Sequence, residues 1–186
     1  MANTEHVETL DSLDKVSVIT YRLGITLFSF SLFLCSLTIA NDMSLILIDG
    51  SLKEFAFITL AISSAMSAAN LHVYDKKIRI VITWSAWIGL VLLSLLIGSH
   101  LVWIAIGFLF VTFSGIALKE SFCFKVLGLK FIPFLLCAAT FMLAMEKWVI
   151  SLICLTIAGV IFLFLAIQKW KMPLHFDIGN KSNYQH

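Results

Sequence analysis

This chain runs without charge for stretches long enough to cross a lipid bilayer, and that constrains its fold more than any other feature. Residues 23–41, 55–74, 80–118, 131–145 and 148–168 contain no Asp, Glu, Lys or Arg. A hydrocarbon core about 30 Å thick needs roughly 20 apolar helical residues at a rise of 1.5 Å each. Tract 80–118 would make a single helix of about 58 Å, so it reads as two spans broken at Gly98-Ser99-His100, where helix propensity is poor and polar groups can meet water. Only 13% of the 186 residues are charged, about half the share in a soluble domain. That excludes a water-soluble fold, a disordered tail, a nucleic-acid binder and a disulfide-stapled miniprotein.

Tract 131–145 is short. Extended back through Val126-Leu127-Gly128-Leu129 it reaches span length, with Lys130 snorkelling toward headgroups and Pro133 early in the helix, where a missing N–H costs least. The fold class expected is therefore all-α, a polytopic bundle of six transmembrane helices at about 23–41, 55–74, 80–97, 101–118, 126–145 and 148–168. Residues 1–22 form a polar arm and 169–186 a tail. Acidic residues in the first 14 positions, and a first apolar tract too long for an h-region, argue against a cleaved signal peptide.

Six spans place 11 of the 13 Lys and Arg residues on one side, leaving Lys53 and Lys147 on the other. Short loops rich in these residues stay cytoplasmic, so both termini are expected there, in an inner membrane or a thylakoid. Trp103 and Trp148 fall at the outer span ends and Trp84, Trp87 and Trp170 at the inner ones, as amphipathic indoles prefer.

Helix association in lipid relies on small side chains that let backbones approach. The run from Ala61 to Asn70 (AISSAMSAAN) carries overlapping small-xxx-small pairs, making the second span the expected centre of the bundle. Ser85 and Gly89 notch the third span, and Gly107, Ser114 and Gly115 the fourth. These faces could pack within one chain or between two copies.

No ionisable residue is expected near a midplane, which argues against a buried acidic relay for coupled transport. Cys35, Cys123, Cys137 and Cys154 lack metal-ligand spacing, and no metal or other cofactor is expected. Polar residues gather instead at the cytoplasmic rim: Asn70, His72, Lys119, Glu120, Cys123, Asp177 and Lys181. Lys119 and Glu120 lie four and three residues before Cys123, on one helical edge. The tail alternates Leu174, Phe176 and Ile178, and Asp177 with Gly179-Asn180 offers a turn. It reads as a segment folding back on the helix ends, with Asp177 paired to a loop cation such as Lys119. The plainer account of these charges is capping and topology alone.

The block from Ser114 to Phe124 (SGIALKESFCF), Pro173, the tail run Asp177-Ile178-Gly179-Asn180-Lys181-Ser182 and Leu71-His72-Val73-Tyr74 together resemble an uncharacterised integral membrane family of oxygenic photosynthetic bacteria. The resemblance runs over most of the chain from about residue 17. It implies a multi-pass membrane protein and transfers no mechanism. Lys125 stands where the family pattern has Gly, and His175-Phe176 where it has acidic residues.

The function expected is non-enzymatic, a structural or assembly component of a membrane complex, touching the bilayer and other membrane proteins or its own copies, and no nucleic acid. The alternative is a small-solute permease or channel subunit acting as an oligomer, with Ser63, Ser64, Ser67 and Asn70 as the nearest approach to a polar seam. A weaker third reading is a membrane enzyme or thiol sensor in which His72, Glu120 and Cys123 converge.

Overall fold

A computed structural model describes residues 9–48 and 51–184. Among them every regular element is helical: α1 (Ser12–Asp42), α2 (Leu52–Ala69), α3 (Lys76–Leu96), α4 (Val102–Cys123), α5 (Ile132–Ala144), α6 (Trp148–Lys171) and the short α7 (His175–Ile178), with single 3-10 turns at Leu129–Phe131 and Lys181–Asn183. Expectations for residues 1–8 lie outside the described residues.

α1 begins well before the apolar tract because Asp11 caps it. The Asp11 carboxylate accepts from the Asp14 N–H at 2.7 Å and Asp14 returns the bond to the Asp11 N–H at 3.1 Å, satisfying donors a helix start leaves open. Asp75 caps α3 with one such bond, accepting from Ile78 N–H at 3.0 Å.

Five helices, α1 to α4 and α6, are long and apolar enough to cross a membrane. α5, where a sixth was expected over 126–145, has only 13 residues, about 20 Å of rise. Gly128 at φ +86° and the 3-10 turn precede it, with Pro133 in its first turn. At its other end Glu146 N–H bonds Leu143 O (3.2 Å) and Lys147 N–H bonds Met142 O (2.8 Å), a Schellman stop with Glu146 at φ +55° where glycine is usual.

The helices run between two ends. At the near end lie the start of α1, the ends of α2, α4 and α6, and the tail; Asp42, Lys53, His100 and Glu146 gather at the far one. Since α4 finishes near and α6 starts far, residues 124–147 connect the two ends. The core is tied by Phe28 of α1, stacked on Phe113 of α4 (centroids 3.4 Å) and edge-on to Phe162 of α6 (4.7 Å).

α1, not α2, is the central helix. It packs along both α2 and α6, and a larger share of it than of α2 is buried inside the bundle. Ser63 and Ser67 of α2 let α1 approach closely: a Cβ on Gly24 of α1 would sit 2.9 Å from Ser67 N and 3.1 Å from Ser63 O. The notches of α3 and α4 are filled within the chain. Leu109 lies over Gly89, Ile82 over Gly115, and the Ser85 and Thr112 hydroxyls are 3.1 Å apart.

Candidate functional site

Five acidic and basic side chains and a phenol close the near end. Glu120, at the last turn of α4, is 1% exposed and accepts hydrogen bonds from the Tyr21 hydroxyl at 2.7 Å and from the Lys169 ammonium at 2.9 Å. Lys119 approaches the same carboxylate at 3.2 Å and lies 4.8 Å from the centroid of the Tyr21 ring. Lys169, 2% exposed in the last turn of α6, pairs also with Asp177 Oδ1. Asp177 Oδ2 accepts from Arg22 Nε at 2.7 Å and from Nη2 of the same guanidinium. Arg22 spends its remaining donors on the carbonyls of Met172 (2.8 Å) and Pro173 (3.0 Å), where α6 gives way to the tail.

Local sequence explains how each group arrives there. Lys169 lies three and four residues after Ala166 and Leu165, both buried, so its stem follows the inward face of α6. Tyr21 and Arg22 stand one turn before Ile25 on the inner face of α1. Asp177 is carried by α7, whose Ile178 is 3% exposed. Gly179, at φ +65°, then turns the chain beneath Tyr74, whose hydroxyl accepts from Asn180 N–H at 2.9 Å. A side chain at position 179 would overlap that hydroxyl. Tyr184 stands edge-on to Tyr74 at 4.9 Å and donates to Ile178 O at 2.9 Å. The tail therefore folds back, with Asp177 meeting Arg22 and Lys169 instead of Lys119.

Of the seven residues read from sequence, Glu120 and Asp177 are members of this network and Lys119 lies at its edge. Lys181 ties the tail to Asp14 on α1. His72 stands past the end of α2, in the loop outside the span. Its Nε2 is 3.2 Å from the Ser17 hydroxyl and its ring is edge-on to Tyr21 at 6.5 Å. Burial, then the nearby Lys119 charge, push its pKa down to about 4. Asn70 is not part of the group; its amide bonds back to Met66 O at 2.9 Å, ending α2. Cys123 is exposed on the last turn of α4 and makes no hydrogen bond or ring contact with His72 or Glu120 among the described residues.

Tyr21, Arg22 and Lys169 were not singled out from sequence. The network is held by mutual charge, and among the described residues no group of three His, Cys, Asp or Glu side chains is placed to hold a metal ion.

The four polar residues of α2 do not line a passage. Ser63 and Ser64 donate to Leu60 O, both at 2.8 Å, and Ser67 is 0% exposed against Gly24.

The family described as "Uncharacterized integral membrane protein (DUF2301)" matches residues 66–186, which hold Glu120, Lys169 and Asp177. An uncharacterized protein of Haemophilus influenzae is 34% identical over 185 residues, spanning 100% of this chain and 99% of its own. No solved structure matches. The resemblance seen in the sequence thus resolves to this family, and no tie to oxygenic photosynthetic bacteria comes with it.

Proposed function

This chain belongs to the DUF2301 family of integral membrane proteins, and from that premise we propose that it is a non-enzymatic structural or assembly component of a membrane complex. The observation that carries this reading is the near-end network. Its carboxylates are committed to Arg22 and Lys169, and Arg22 also to the backbone, so this end is closed by its own charged side chains. Packed serines in α2 support the same reading against a polar path through the bundle centre.

We infer six crossings with both termini cytoplasmic, in the cell inner membrane or a thylakoid where a cell has one. Support comes from residues 124–147 connecting the two ends, from the contact between the start of α1 and the tail, and from the bias of 11 of 13 cations to that side. Partners are other membrane proteins or copies of this chain, reached through lipid-facing helices. A second reading, a permease or channel subunit, is favoured by one feature, a cavity entering the bundle from the far end.

The test is gentle-detergent purification of tagged protein with quantification of what co-purifies, repeated with Asp177→Asn. A stoichiometric membrane partner retained by the parent and lost from the variant supports the assembly role. Recovery only as a homo-oligomer counts against assembly with other membrane proteins and favours the permease or channel reading.

A further inference from the structure

The far end is built in the opposite sense to the near one. A cavity of about 230 Å³ opens between the helix ends there. Its deepest residues on α1 and α6, Cys35 and Leu155, lie seven positions from Asp42 and Trp148 at the mouth, which is about 10 Å of helix. The floor is apolar: Cys35, Ile39, Phe57, Phe110 and Leu155 line it, each under 9% exposed. Thr38, the hydroxyl on that wall, donates to Leu34 O at 2.9 Å. Apolar space of this kind holds water poorly and takes up apolar groups.

The mouth has a different chemistry. Asp42 and Glu146 face it with Lys53, His100 and two indoles, Trp103 and Trp148. Among the described residues neither carboxylate is ion-paired, and Asp42 and Glu146 outnumber Lys53. Unpaired carboxylates beside indole faces suit an ammonium group, which gains from both Coulomb attraction and the ring quadrupole. Helix α5 also stops here on Glu146 in a left-handed conformation, so the Glu146 backbone is held at the rim by a capped turn.

We propose that this cavity binds a small amphipathic amine, with its ammonium at the Asp42–Glu146 mouth and its short alkyl chain on the Phe57–Phe110 floor. By volume the site holds about eight heavy atoms at roughly 30 Å³ each. The inference is independent of the assembly role, since it concerns the opposite end of the bundle and claims binding alone.

The experiment titrates purified protein in lipid nanodiscs with n-hexylamine, n-hexanol and ethylamine at pH 7, reading tryptophan fluorescence and thermal stability. Hexylamine is expected to saturate, about tenfold tighter than either hexanol, which lacks the charge, or ethylamine, which lacks the chain. Asp42→Asn with Glu146→Gln changes two exposed groups without altering the cap. It is expected to weaken hexylamine about tenfold and leave hexanol unchanged, as two partly screened charges allow. Lys53→Gln is expected to tighten hexylamine by about threefold. Equal binding of hexanol and hexylamine, a hexylamine response untouched by the carboxylate changes, weaker binding in Lys53→Gln, or no saturable response would each overturn the proposal.

Discussion

Asp177→Asn tests the near-end network most directly, because it removes one charge and almost no volume. In the parent, Arg22 and Lys169, each 2% exposed, share Asp177 and Glu120, so the buried set is balanced two against two, with Lys119 at its edge. After the change both cations remain buried against a single carboxylate, and that carboxylate is already bonded to Lys169 and Tyr21. Removing one member of a buried pair costs about 3–5 kcal/mol, since the partner's desolvation is no longer offset. Against a typical total of about 5–15 kcal/mol that is a large share.

Arg22→Met removes the other member and strips donors from the Met172 and Pro173 carbonyls, but leaves Asp177 with Lys169. The double variant keeps only the Lys169–Glu120 pair with Lys119, so its cost should fall short of the sum of the singles by about 2 kcal/mol, as for residues in one network. Denaturant unfolding in nanodiscs, followed by tryptophan fluorescence, gives the three values. Trypsin cleavage after Lys171 and Lys181 reports whether the tail has lifted. A cost under about 1 kcal/mol for Asp177→Asn, or strict additivity in the double variant, would refute the reasoning.

Gly24→Ala is expected to destabilise by about 1–3 kcal/mol in the same assay, because the new methyl meets Ser67 N at 2.9 Å and a backbone cannot swing aside; combining it with Ser67→Ala should restore little. Gly179→Ala should cost about 1–2 kcal/mol through its positive φ and overlap with Tyr74, and should raise tryptic cleavage after Lys181 before the bundle itself loosens. His72 titrates near pH 4 when folded and near 6.5 when unfolded, so its contribution is complete above about pH 6.5 and is lost as pH falls toward 4. That amounts to roughly 3 kcal/mol, and His72→Gln should flatten the stability curve by that amount between those limits.

How much of this was legible beforehand depends on the range of the physics involved. The long spans follow from uncharged tracts because a bilayer imposes its thickness on consecutive residues. α5 was harder to read. Gly128, Lys130 and Pro133 each weaken a helix locally, and apolar content alone cannot say whether a 20-residue tract is helical throughout. α2 looked central because its small residues are contiguous, whereas α1 achieves the same approach with the single Gly24. At the rim, Glu120 and Asp177 stood out as acids on a basic side. Arg22 and Lys169 did not, because a cation just outside an apolar tract looks the same whether it snorkels or is buried. Its partner is 155 residues away for Arg22, and 49 away for Lys169 to Glu120, beyond any spacing rule. One signal for Lys169 was available, namely its register with Leu165 and Ala166 on the inward face of α6.

The two ends of the bundle are physically complementary. Desolvating four charges is tolerable only where backbone carbonyls and neighbouring ions can replace water, and the helix ends with the returning tail supply both. The same packing at a midplane would leave the ions facing hydrocarbon, so the scarcity of charge within the spans and its concentration at the near end have one cause. At the far end no tail returns and α5 stops early. The carboxylates there are exposed and, among the described residues, not ion-paired, and the space beneath them is lined by apolar side chains. A chain that is locked at one end and open at the other can yield only at the open end, which is where binding can occur without breaking the ion network.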